Sequence, residues 1–227
     1  VDECPGGADL IAARQALRVW EYLLPASQPL IAADLERRFI VERGLMVRTP
    51  DGAQIATTVI RPRGNASTRA TAILNFTIYA REDWAVSDAA KMAAYGYAGV
   101  VSFSRGKGDS AGPATPYVHD GDDAVAVINW IATQTWSDGR VGMIGGSYNA
   151  SVAWAAAQRR PPALRAIATH ASNAPGIDTP MRGGVFQNFT YSWPLYVTNT
   201  RGLDEYNYGD RSRWSALNRA WYMSGRP

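Results

Sequence analysis

Val141-Gly142-Met143-Ile144-Gly145-Gly146-Ser147-Tyr148-Asn149-Ala150 is the stretch on which the fold turns. Arg140 to Ile144 reads as a short buried strand, and Tyr148 to Gln158 is Ala-rich and reads as a helix. A serine therefore stands at a strand-to-helix junction, with Gly145 and Gly146 before it and Ala150 just beyond. This is the arrangement of a nucleophile elbow, a sharp turn that holds serine in strained backbone geometry and needs small neighbours so that adjoining chains do not clash. At a helix N-terminus the backbone N–H groups lack intrahelical partners and can stabilise an oxyanion. The plainer reading is an N-cap, a role that serine favours, and Asn149 stands where the strict Gly-x-Ser-x-Gly pattern has its second glycine. The combination of strand, turn and helix favours the elbow.

Upstream, Asp120 to Trp136 is predicted as a helix, with Asp120, Asp122 and Asp123 gathered where the helix dipole favours negative charge. Its apolar face runs through Val125, Ile128 and Ile131. Before it lie a Gly-rich loop (Ser104 to Tyr117), a strand (Tyr97 to Phe103), a helix (Asp83 to Tyr95, closed at Gly96) and a strand (Thr71 to Phe76). Phe39 to Val47 and Gln54 to Ile60 alternate in polarity and are joined by the turn signal Thr49-Pro50-Asp51-Gly52, which predicts a β-hairpin. Downstream, Leu164 to Thr169 reads as another strand. A hairpin followed by alternating strands and helices indicates an α/β domain with a mostly parallel sheet. At the N-terminus, Leu10, Ile11, Leu17, Val19, Trp20 and Leu23 recur at helical spacing over Ala8 to Leu24, and a short helix is expected over Ile31 to Arg38. From about Gly176 periodicity weakens, and Gly, Asn, Tyr and Trp dominate. The expected organisation is a helical extension (1–38), an α/β core (39–175) and the beginning of a cap insertion (176–227).

The 227 residues, 46% hydrophobic and 19% charged, suit an ordinary globular protein with a substantial core. A net charge of +3 without any Lys/Arg run argues against nucleic acid as a partner. No apolar stretch reaches the roughly 18 residues needed to span a bilayer. The single Cys4 cannot form an internal disulfide, and no metal-ligand cluster is visible. Arg105 to Gly112 is Gly-rich but lacks the Gly-Lys-Ser/Thr ending of a phosphate loop, so no nucleotide cofactor is expected. The chain starts at Val1, consistent with removal of an N-terminal segment, and leaves a periplasmic or secreted location open. Eight Trp and eleven Tyr suit either core packing or an aromatic pocket, with Trp193 as a candidate lining residue.

Several motifs together resemble the acyl hydrolases related to cocaine esterase, α-amino-acid ester hydrolases and X-prolyl dipeptidyl aminopeptidases. They are Val47-Arg48-Thr49-Pro50-Asp51-Gly52, the segment Asn75 to Tyr79, Arg105 to Gly112, Asn129-Trp130-Ile131, and Gly139 to Met143 leading into Gly146-Ser147-Tyr148. The resemblance covers about Phe39 to Tyr196 and implies the α/β-hydrolase fold with an added helical cap. It implies that Ser147 attacks the acyl carbon, that the backbone N–H of Tyr148 is one oxyanion donor, and that the hydroxyl of Tyr79 is the other. A phenol suits that role because it donates a hydrogen bond while staying neutral at pH 7. The sequence departs from the family at three places. Ser104 replaces an Asp before the Arg-Gly pair, which removes one partner from that loop's salt bridging. Ala150 replaces a usual glycine. Gly183 and Gly184 lie near the position where amino-ester hydrolases carry acidic residues, which argues against a free α-amine requirement.

In this fold the nucleophile is followed along the chain by Asp or Glu and then by His. Only His119 and His170 are present, and no carboxylate lies between Ser147 and His170. His119 reads as a capping or surface residue, and His170, at a strand tip, as pocket-lining. Without a base, serine remains a weak nucleophile. The resemblance places the acid and the His after the cap, so the chain is expected to be the nucleophile-bearing, N-terminal part of a larger hydrolase: a fragment, a proteolytic product or one chain of two. Its partners would be a small-molecule ester or amide (peptides included) and the remainder of the enzyme or a second chain. A hydrolase-fold protein that binds ligands without turnover is the alternative.

Overall fold

The computed structural model describes residues 32–64, 69–187, 189–204 and 210–225. The chain divides into two compact units, Val1–Phe39 and Ile40–Pro227. In the first, residues 32–38 are helical, within the helix expected over Ile31 to Arg38. The helix expected over Ala8 to Leu24 lies outside the described residues.

The second unit is built on a six-stranded sheet. Strands β1 (Phe39–Arg48) and β2 (Gln54–Pro62) form the hairpin, closed by hydrogen bonds from Thr49 N to Ala53 O and from Gly52 N to Thr49 O, both 2.9 Å. Then come β3 (Ala70–Thr77), helix α1 (Glu82–Ala94), β4 (Ala98–Phe103), α2 (Asp120–Thr133), β5 (Ser137–Gly146), α3 (Tyr148–Gln158) and β6 (Leu164–His170). The strand order is β1-β2-β4-β3-β5-β6. β2 runs antiparallel to β4, whereas β3, β4, β5 and β6 pair in parallel. This is the mostly parallel α/β sheet opened by a hairpin that the pattern predicts. All six residues of β4 are buried, the continuous apolar run expected of a strand covered on both faces. α1 packs against β2 and β4, while α2 and α3 pack against each other and β5. The core between them gathers Leu74, Phe76, Val100, Val127, Ile128, Ile131, Met143 and Val152.

Two boundaries differ from the periodicity. α2 stops at Thr133, where the Thr133 hydroxyl and the Gln134 side-chain amide both donate to Trp130 O, and the backbone turns extended. β5 starts at Ser137, because its pairing with β3 begins at Ala70 opposite Ser137, a contact invisible to local pattern. Beyond Gly176 the chain forms a separate two-stranded hairpin, β7 (Met181–Arg182) and β8 (Val185–Phe186), then helices α4 (Phe189–Thr198) and α5 (Arg211–Met223).

The Gly-rich loop after β4 is a structural knot, and Ser104 does not strip it of ion pairs. Arg105 bridges Asp123 at 2.7 Å and Asp51 at 2.8 Å. Asp123 is almost fully buried, and that burial pushes its carboxyl above the usual range against the opposing pull of Arg105. The buried Lys107 ammonium donates to Thr200 O and Gly202 O, both at 2.6 Å. Removing Arg105 would leave a carboxylate without its partner in the interior. Arg105→Ala is therefore expected to destabilise the fold by about 3 kcal/mol, read as a lowered midpoint in denaturant unfolding; a change under about 0.5 kcal/mol would show the pair to be incidental.

Candidate active site

Ser147 lies between the last residue of β5 and the first of α3, at φ 54° and ψ −122°. A non-glycine residue there costs on the order of 1–3 kcal/mol and persists only when its surroundings enforce it. They do so by contact. A Cβ on Gly145 would come within 2.6 Å of the Asn149 carbonyl carbon, and one on Gly146 within 2.4 Å of His170 Nε2. Asn149, in place of the usual second glycine, turns its side-chain amide to Asn75 Oδ1 of β3 at 2.9 Å. The Ser147 N–H donates to His170 O at 3.1 Å, which ties the turn to β6. The Ser147 side chain is exposed.

Around it stands an aromatic group. Tyr79, half-buried just past β3, accepts a hydrogen bond from Trp193 Nε1 at 3.1 Å and lines the same cavity as Ser147. Burial raises its phenol above the ordinary range, so the hydroxyl is kept neutral and able to donate. The ring of Tyr148 packs at 4.6 Å from that of Tyr117 and 5.4 Å from that of Trp193. As the first residue of α3, Tyr148 has a backbone N–H with no carbonyl partner inside the helix.

Asp120, in the first turn of α2, fixes Tyr148 from behind. Its carboxylate accepts from Tyr148 Oη and Ser104 Oγ, both at 2.6 Å, and from Tyr117 N at 2.8 Å. Burial, and then the Asp120 charge, raise the Tyr148 phenol far above its usual range, so it stays a proton donor to Asp120. Ser104, the departure from the family pattern, thus supplies a neutral donor to the buried carboxylate.

Ser147, Tyr79, Tyr117, Tyr148, Trp193 and Arg182 line a cavity of about 190 Å³. A larger one, about 550 Å³, lies on the far side of Tyr117 and Asn173, against Ser151 and Trp154. Size would select the second, but the chemistry-bearing groups open into the first. Of the two histidines, His170 is exposed and stacks over Gly146; its neighbour Ala171, rather than His170 itself, lines the cavity. Among the described residues the His170 imidazole makes no hydrogen bond to the Ser147 hydroxyl. His119 occupies the N-cap position of α2 with no side-chain capping bond. Among those residues, too, no helix is long and apolar enough to cross a membrane.

The structure therefore brings Ser147, Tyr79, Tyr148 and Trp193 together and leaves His119 elsewhere. Sequence reasoning missed Asp120 as more than a helix-dipole residue, and missed Tyr117 and Arg182. Tyr117 has a positive φ of 67° at the end of the Gly-rich loop, which no residue type signals.

Residues 51–225 match the family described as X-Pro dipeptidyl-peptidase (S15 family). The chain is 31% identical over 146 residues to the cocaine esterase of Rhodococcus sp. (strain MB1 Bresler), a match that covers 62% of this chain and 25% of that protein. Among solved structures it is similar to an aminopeptidase from the marine sediment archaeon Thaumarchaeota archaeon, with 23% identity, TM-score 0.63, and coverage of 74% of this chain and 31% of that one. It is also similar to an α-amino acid ester hydrolase, with 24% identity, TM-score 0.62, and coverage of 73% and 31%. These structural likenesses carry the hydrolase fold. The chain spans about a quarter of the length of the curated relative it matches.

Proposed function

The chain belongs to the X-Pro dipeptidyl-peptidase (S15) family, and from that premise we propose that it bears the nucleophile of a serine acyl hydrolase, cleaving esters or amides through an acyl-enzyme on Ser147. The observation that carries this reading is the strained, exposed Ser147 at the head of α3, lining an aromatic cavity together with Tyr79, Tyr148 and Trp193. Ser147 Oγ attacks the acyl carbon and its proton passes to a base. The carbonyl oxygen becomes an oxyanion, held by the Tyr148 N–H and the Tyr79 hydroxyl. Collapse expels the alcohol or amine, which takes up the proton, and water then releases the acid by the same route.

The base and its carboxylate partner lie, on this proposal, outside residues 1–227, in further chain or in a second chain. The motive is the order of residues: no Asp or Glu stands between Ser147 and His170, and the His170 imidazole faces Gly146. The same gap favours a second reading, a hydrolase-fold protein that binds without turnover. Rapid mixing of the complete natural protein with excess p-nitrophenyl acetate separates the two. An acyl-enzyme path gives a burst of p-nitrophenol close to one equivalent per site, followed by slower turnover. Neither burst nor turnover with this or longer esters would leave the binding reading standing.

A further inference from the structure

Most polar groups that line the Ser147 cavity are engaged within the protein. The Gln187 amide donates to Asp178 O at 3.0 Å, and the Thr190 hydroxyl to Gln187 O at 2.5 Å. Asn173 Nδ2 donates to Tyr117 Oη at 2.8 Å while its Oδ1 accepts from Ser151 at 2.6 Å. Asp178, the one carboxylate of the lining among the described residues, uses Oδ1 to accept from Ala174 N at 2.7 Å and from the Thr179 hydroxyl at 3.3 Å. Arg182 differs. It closes β7 beside the Gly183-Gly184 turn, lines the same cavity, and has neither an ion pair nor a side-chain hydrogen bond among the described residues.

The group that enters this cavity is constrained by the chemistry proposed above, on which this inference rests. Ser147, Tyr79 and Tyr148 line it together with Arg182, so the carbonyl under attack and the acyl portion attached to it are placed in a cavity that Arg182 shares. About 190 Å³ holds about six water-sized groups at roughly 30 Å³ each, enough for a short acyl chain with a polar end. A guanidinium presents a planar fork of donors that matches a carboxylate, and such charge-assisted pairs are stronger than neutral ones. We propose that Arg182 is a specificity residue that selects acyl groups ending in a carboxylate, so that the preferred substrates are esters or amides of short dicarboxylic acids.

The test uses the complete natural protein and two p-nitrophenyl esters of similar length with the same leaving group, the hemiglutarate and the valerate. The ratio of kcat/KM for the anionic to the neutral ester is expected to exceed ten in the wild type. It should fall by roughly 10- to 100-fold in Arg182→Gln, the range for a lost hydrogen bond to a charged group, mainly through KM, with partial recovery in Arg182→Lys. Raised salt should lower the wild-type ratio. A ratio that stays within twofold of wild type in Arg182→Gln, or a wild-type preference for p-nitrophenyl 5-aminovalerate over both, overturns the inference. Absence of Ser147-dependent turnover of any ester would instead overturn the acyl-hydrolase reading, so the two failures are distinct.

Discussion

Replacing Ser147 by alanine is expected to lower kcat of the complete natural protein by on the order of 10⁴-fold or more, because nucleophile and base act as a unit and little beyond binding and the oxyanion donors survives their loss. Alanine meets the same left-handed backbone penalty as serine, so the φ of 54° makes the two proteins comparable in strain, and the lost rate reports chemistry. Ser147→Gly gives the complementary control. Glycine relieves the positive φ, so stability should rise by about 1 kcal/mol while activity vanishes. Stability and activity moving in opposite directions at one residue is the signature of strain held for function. Activity within tenfold of wild type in Ser147→Ala would remove Ser147 from the mechanism.

Tyr79→Phe is the second large effect. It deletes only the hydroxyl that accepts from Trp193 and shares the cavity with Ser147. If that hydroxyl holds the oxyanion, kcat should fall roughly 10²- to 10³-fold, the usual consequence of losing one such donor. The unfolding midpoint should shift little, since the ring stays and the freed Trp193 N–H faces a cavity open to water. Burial raises the Tyr79 phenol above its ordinary range. The neutral, donating form then persists from acid pH up through its normal titration region, so Tyr79 should add no alkaline loss of activity below about pH 10. An unchanged kcat with unchanged stability would make Tyr79 a wall residue.

The pattern of what sequence could and could not reveal follows from the range of the interactions. The strained turn at Ser147 was legible because its sequence signature is local, with Gly145 required by Asn149 four residues on, although Gly146 is required by the distant His170. The hairpin, β3, β4 and α1 were legible from turn residues and periodicity. The start of β5 was not, because it is set by pairing with Ala70. The small β7–β8 hairpin was hidden by its two-residue strands. Tyr79 emerged through family resemblance, since nothing in its neighbourhood marks it. Asp120 shows the limit most clearly. Its charge at a helix start looked sufficient in itself, yet its function is to accept from Tyr148, 28 positions away, and Ser104, 16 away. Arg182 carries no local signal, because its distinction is the lack of a side-chain partner among the described residues.

The most direct measurement is to react the complete natural protein with a fluorophosphonate probe, read its intact mass, and map the modified residue by peptide sequencing. A single adduct on Ser147, absent from Ser147→Ala and formed in step with loss of ester hydrolysis, is the predicted result. An adduct on a different serine, or full esterase activity in protein that the probe leaves unmodified, would contradict the account.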